Sequence, residues 1–325
     1  MMRQYKLIGM LILVLAVVIA GASLAQAAAA STTAAAGPLT LEYKFTPGQA
    51  LTYMILLQAN STTTMQPATT APQAMKLQGN MQVVERTREV APDGASVLVE
   101  LSCPRISMDA TMAGQMANML WQNGQLTLTV NGQKQPAAGM DFSRIPFLGV
   151  PLRVRMDKHG KVLELPDLSA LKNLLGNMDL TSLIKTSQSE LPDHPIQVGE
   201  SWTTDATVPF PGSDQTITAR TTYTLVGYET VGGRRAARLA MKTNTHVKGL
   251  KMNLPGTAPQ GAAQSATIDD MVQNLTGNVW FSPELGQVVK SDAVMDMIET
   301  VSTAGPAGPQ RTTISMNMKM TMLLQ

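Results

Sequence analysis

Apolar and polar residues alternate along most of this chain, and a period of two marks β-strands with one buried face. In "LTLEYKF" the residues Leu39, Leu41, Tyr43 and Phe45 share a face. "ALTYMILLQAN", "MKLQGNMQVVERTREV", "ASVLVELSC" and "QLTLTVNGQKQ" continue the pattern. The turns between them are equally readable. Ala91-Pro92-Asp93-Gly94 combines a proline that presets φ with a glycine that accepts positive φ. Asn131-Gly132 is the dipeptide that a two-residue hairpin turn prefers. "VPLRVRMDKHGKVLEL" reads as a hairpin turning at His159-Gly160.

Two stretches break the alternation. Met112, Met116, Met119 and Leu120 have helical spacing, so a short helix is predicted within 108–121. Leu168, Leu171, Leu174 and Leu175 fall on one helical stripe, with Asp167 or Ser169 as cap and Gly176-Asn177 as stop. The pattern then restarts. "QVGESWTTDATV" parallels "TPGQALTYMILL", the long run from Thr216 parallels that from Met75, and Gly286 matches Gly160. This order of elements predicts two related halves. Thr/Pro/Ala-rich segments 61–74, 255–266 and 302–310 read as connections.

The expected fold is mainly β and antiparallel, about thirteen strands. Its two related halves form a large curved sheet or barrel-like pair, with one or two short helices near 168–186. The expected divisions are a signal peptide at 1–27, a disordered leader at 28–38 and a first β half at 39–166. A helical bridge at 167–190 and a second β half at 191–325 follow.

The N-terminus changes the charge argument. Arg3 and Lys6 precede the apolar run 7–20, and Ala25-Gln26-Ala27 supplies a small-x-small cleavage pattern. That run is short for a membrane span, so no transmembrane segment is expected after cleavage, and the protein is expected to be exported, periplasmic or extracellular. The whole chain has 25 basic and 23 acidic residues; losing Arg3 and Lys6 leaves 23 against 23. Without a basic stripe, nucleic acid is not an expected partner. Cys103 is the only cysteine, so no internal disulfide can form.

Candidate chemistry is sparse. The three histidines lack metal-ligand spacing, Ser182-Leu183-Ile184-Lys185 lacks the motifs that accompany a serine acyl-transferase, and no metal, cofactor or catalytic residue is expected. A hydrolase would have to gather His194, Ser182, Lys185, Asp292 and Asp296 into one cleft. Methionine is the oddity, with 23 in the chain against 4% aromatics. Met316, Met318, Met320 and Met322 alternate with polar residues, and Met295 and Met297 repeat the pattern one strand earlier. These six are the candidate ligand-binding residues. Pliable thioethers suit an apolar or lipid-like ligand, or simply fill a core; as soft ligands they also suit Cu(I).

"VRMDKHGKVLEL", "LPDHPIQVGESW", "TYTLVGYETVGG" and "ELGQVVKSDAVMDM" together resemble an uncharacterised family of exported bacterial β-rich proteins, a domain of unknown function. The resemblance covers most of residues 39–323 and implies an envelope or secreted location. Members are often lipoproteins, and this chain lacks the lipid-accepting cysteine. The resulting expectation is a non-enzymatic exported β protein acting as a binding or envelope-associated module. A lipid-like ligand carrier, a Cu(I)-binding protein and a hydrolase are the alternatives.

Overall fold

A computed structural model describes residues 37–67, 71–136, 147–166, 168, 191–209, 215–254, 264–305 and 308–325. Among these, fourteen strands join one antiparallel sheet. The first half of the chain contributes β1 (Ala50–Gln66), β2 (Gln73–Val90), β3 (Ser96–Met112), β4 (Gln115–Gln122), β5 (Gln125–Val130), β6 (Gln133–Gln135), β7 (Leu152–Asp157) and β8 (Val162–Glu164). The second contributes β9 (Ser201–Pro209), β10 (Thr216–Val231), β11 (Arg234–Leu254), β12 (Gln264–Ser282), β13 (Gln287–Gly305) and β14 (Gly308–Leu324). The strand order is β6-β5-β4-β3-β2-β1-β14-β13-β12-β11-β10-β9, with β7 and β8 branching from β3.

The two halves are therefore not a barrel-like pair. β1 and β14 zip together over fourteen residue pairs, from Tyr53↔Leu324 to Gln66↔Arg311, and make one continuous open sheet. Pairing across this seam satisfies backbone groups that two separate sheets would leave at exposed edges.

Nor does any helix occur among the described residues. The stretch predicted as helix within 108–121 is the β3–β4 hairpin, with Met112↔Gln115 flanking a turn at Ala113-Gly114. Its helical spacing arose because two alternating runs meet at a turn. Met108 and Ala110 are buried on one face, whereas Met116 is 56% exposed. The leucine-rich helix expected near 168–186 lies outside the described residues, apart from Leu168, which is buried in the main core. The Thr-rich segment expected as a connection at 61–74 is strand through Gln66 and again from Gln73. Thr62, Thr63 and Thr64 pair with Ser315, Ile314 and Thr313, as β-branched residues favour. The connection expected at 302–310 likewise becomes the tip of the β13–β14 hairpin.

A strap of residues 39–46 crosses one end of the sheet. Leu39 exchanges backbone hydrogen bonds with Ile196, Tyr43 N donates to Lys158 O at 2.7 Å, and Lys44 N donates to Gly286 O at 3.0 Å. Lys158 belongs to the β7–β8 turn and Gly286 to the β12–β13 turn. In a flat sheet β7 and β13 stand five steps apart, about 24 Å, yet adjacent residues of the strap, about 3.8 Å apart, reach both. The sheet is rolled into a trough at this end. The alternation expected of "LTLEYKF" holds within the strap: Leu41 is fully buried while Glu42 points out to the Lys158 ammonium at 2.6 Å.

Candidate functional site

Residues directly opposite in an antiparallel pair point to the same face, so the registers trace rows across the sheet. One row runs Trp202–Tyr223–Met241–Gly277–Ala293–Met320 over β9 to β14. It continues through Leu57–Gly79–Met108–Met119–Leu128 over β1 to β5. No position in it is charged. A second row, two residues along, runs Leu275–Met295–Met318–Ala59–Leu77–Ala110–Ala117. These rows form the inner face of the trough and the bulk of its core.

All six predicted methionines lie on this face. Met295 faces Met318 and Met297 faces Met316, while Met320 and Met322 face Ala293 and Ser291. Met295, Met318 and Met320 are buried; Met316 and Met322 are partly buried against the same cluster. Met297 packs with Leu250, Ile268 and Met271 in a smaller cluster nearer the β13–β14 tip. The Gln273 side-chain amide donates to the Met295 sulfur at 3.2 Å.

The face extends well beyond those six. Met241, Met81, Met108 and Met119 belong to it from the neighbouring strands. The alternation in "MKLQGNMQVV" and "CPRISMDATM" carried that signal, but a register shift between Gln82 and Val84 interrupts the pairing of β2 with β3. Packing on this face is close. A cavity of about 10 Å³ lies between Ile55, Leu57, Gly79, Met81, Ile106 and Met108, room for a single water. Gly79 sits at its wall, where a Cβ would meet Ser107 O at 2.9 Å and the Met108 Cγ at 3.0 Å.

Two carboxyls interrupt the inner face. Glu85, between Leu51 and Leu101, lies toward the strap. Glu299, between Met271 and Ile314, lies toward the β13–β14 tip. Desolvation pushes Glu85 up to about 7 and raises Glu299 as well. Neither stands out in the sequence, because a single glutamate in an alternating strand is not distinctive.

The residues named for a hydrolase are distributed differently. Asp292 and Asp296 occupy the outer face, one against the Lys290 ammonium at 2.9 Å and the other accepting from the Asn317 amide at 2.7 Å. His194 is exposed in the loop before β9, with Asp193 at 3.0 Å and Glu200 at 3.4 Å. The Asp193 hydrogen bond raises its pKa, with Glu200 adding to the effect. Ser182 and Lys185 lie outside the described residues. Cys103 is buried, and desolvation pushes its thiol up to about 12, which suppresses thiolate chemistry. Among the described residues no group of His, Cys, Asp or Glu could hold a metal ion, and no helix is long and apolar enough to cross a membrane.

Comparison with known proteins yields no matching family model and no matching curated protein. Among solved structures the chain is similar to lipovitellin, described for its lipid–protein interactions, at 12% identity and a TM-score of 0.43. That match covers 87% of this chain, which spans 25% of the lipovitellin chain. The hypothetical lipoprotein YmcC from Escherichia coli matches at 9% identity and a TM-score of 0.19, covering 79% of this chain and 85% of its own. A DUF1329 family protein from Desulfovibrio piger matches at 11% identity and a TM-score of 0.12, with 81% and 83% covered. All three lie below the level at which a fold or a function transfers.

Proposed function

We propose that this protein is an exported, non-enzymatic binding module whose rolled sheet takes a lipid-like apolar ligand along its methionine-rich inner face. The observation that carries this reading is the uncharged row spanning β5 to β9 through the central seam. Large, flexible thioethers are interspersed with small residues at its centre: Met241, Met320 and Met108 share the row with Gly277, Ala293 and Gly79. A methionine side chain has three rotatable bonds and re-packs at low cost, so a face built this way closes on itself when empty and yields to a guest. The basic N-terminal residues and following apolar run support export.

Native mass spectrometry on protein purified gently from its own host's envelope fraction tests the reading. The expected result is a mass excess matching a lipid or another small apolar molecule. A bare chain mass, together with no uptake of a long-chain alcohol added to the purified protein, would overturn it.

A further inference from the structure

The inner face is apolar with two exceptions, and only one of them lies among aromatic rings. Apart from Arg235 at the end of β11, which covers the Tyr228 ring at 4.2 Å, the charged residues on this face among the described strands are Glu85 and Glu299. Neither makes a hydrogen bond or ion pair with any described residue. An unpaired carboxylate on an apolar surface is costly unless something compensates it.

Glu85 sits where the strap closes the trough. Tyr53 faces Val83, two residues from Glu85 on the same face, and Tyr43 descends from the strap. Tyr43 senses the charges of both Glu85 on β2 and Tyr223 on β10. Those strands stand six steps, about 29 Å, apart in a flat sheet, so the rolled walls meet around Tyr43. Tyr43 stacks near Phe45 at 6.1 Å and meets Phe281 edge-on at 5.4 Å; Trp202 stacks on Tyr223 at 5.3 Å. Glu85 and Tyr43 are only half-buried, yet desolvation raises both. Backbone hydrogen bonds join Thr87, two residues beyond Glu85, to Gly48 and Gln49 just past the end of the strap, so the strap and the β1–β2 wall border a recess to which Glu85 stays partly accessible. Glu299, by contrast, has Met297, Val301, Ile314 and Met271 as its register neighbours, none of them aromatic.

We propose that this recess is the head-group subsite of the apolar face, in which Glu85, framed by Tyr43 and Tyr53, holds the cationic head of a long-chain amine. A carboxylate supplies the charge-assisted hydrogen bond, and the aromatic faces attract the ammonium through their quadrupoles. The row of Glu85 lies twelve residues along β1 from that of Glu299, from Leu51 to Thr63, roughly 40 Å of strand. The methionine rows lie between, where the alkyl chain would run. This assignment rests on the apolar-ligand reading above.

The test uses three probes of equal chain length below their critical micelle concentrations, hexadecylamine, hexadecanol and palmitate, titrated at pH 8 by calorimetry. Wild type is expected to bind hexadecylamine at least about tenfold more tightly than palmitate. Glu85→Gln is expected to abolish that preference while leaving hexadecanol affinity unchanged, and Glu299→Gln to retain it. Glu85→Gln removes an unpaired charge, so its fold is expected to be at least as stable as wild type, and hexadecanol binding checks this directly. If hexadecanol binds but wild type shows no preference for the amine, or Glu85→Gln keeps the preference, the head-group assignment falls and the apolar-face reading stands. If none of the three probes binds wild type, both fall.

Discussion

Leu57 and Gln58 are consecutive in β1, and they belong to different environments. Leu57 lies in the inner row between Met320 and Gly79 and is 4% exposed. Gln58 is exposed in the outer row between Lys319 and Gln78. The next outer row carries Asn274, Asp296, Asn317 and Asn60 across four strands, joined by the Asn317–Asp296 hydrogen bond. The same strands thus present an apolar and an amide-rich surface one residue apart, and that difference holds the register. A slip of one residue would carry the methionine rows outward and the amides inward. The outer face breaks the rule at one end. There Trp280, Asn278 and Arg238 are buried, the guanidinium bonded to Asn278 and Glu229 at 2.8 Å, with the Trp280 indole donating to Glu229 at 2.7 Å. In that patch the buried polar groups are partnered and pack beside Ala236 and Val289, whereas the inner side is buried by apolar bulk alone.

The sharpest test of this contrast exchanges neighbours. Leu57→Asp places an unpaired charge inside the trough and should cost more than about 4 kcal/mol, enough to lose the urea transition. Gln58→Glu, facing Lys319, should stay within about 0.5 kcal/mol. Next comes the buried outer network. Arg238→Ala leaves the Glu229 carboxylate with the indole alone, and denaturant titration should show a loss of about 3 kcal/mol. The strap tests closure rather than sidedness. Gly286 has φ +61, and a Cβ there would collide with the Lys44 backbone and stem. Gly286→Ala should therefore cost about 1–2 kcal/mol and expose the strap to proteolysis at its 39–46 segment.

A smaller effect separates two kinds of carboxyl by their pH dependence. Glu85, raised by desolvation from 4.5 to about 7 and facing Tyr43 and Tyr53, binds its proton more tightly folded than unfolded. Wild-type stability should therefore fall as pH rises from about 4.5 to 7, by on the order of 1 kcal/mol once solvent access is counted. Glu85→Gln should flatten that slope in thermal melts. Glu100 has the opposite sign. Desolvation raises it, but the hydrogen bonds from Arg88 and Arg153 outweigh that and hold it low. Its contribution is present above the ordinary carboxylate range and lost as pH falls through its lowered value. A bounded effect is expected from Met316→Leu with Met318→Leu. Both replacements conserve apolar volume, so calorimetry should show a change below about 1.5 kcal/mol; a larger loss would mean that the thioethers hold a specific packing.

How much of this was readable beforehand differs by residue. Alternation alone places the six methionines on one strand face each, and the register of β13 with β14 aligns those faces. Asn131-Gly132 was read as a hairpin turn, and both residues take the positive φ it requires. The Met112/Met116/Met119 spacing misled because periodicity does not mark where a turn interrupts it. Segment 61–74 misled because its Thr/Pro/Ala composition suits a connection as well as an edge of a long hairpin. Glu85 and Glu299 do not stand out as a pair in the sequence, since their meaning depends on how little charge the rest of the inner face carries.

By itself the sequence determined sidedness, because the pleat turns a period of two directly into two faces and each strand carries that code locally. It determined the tight turns for the same reason. Only the tertiary structure decided the neighbours. That β14 lies beside β1, that β3 forks to both β4 and β7, and that Tyr43 stands between Glu85 and Tyr223 all depend on pairings across tens to hundreds of residues. Such pairings come from backbone hydrogen bonds that are chemically alike on every strand, so no local pattern records which strand will be chosen.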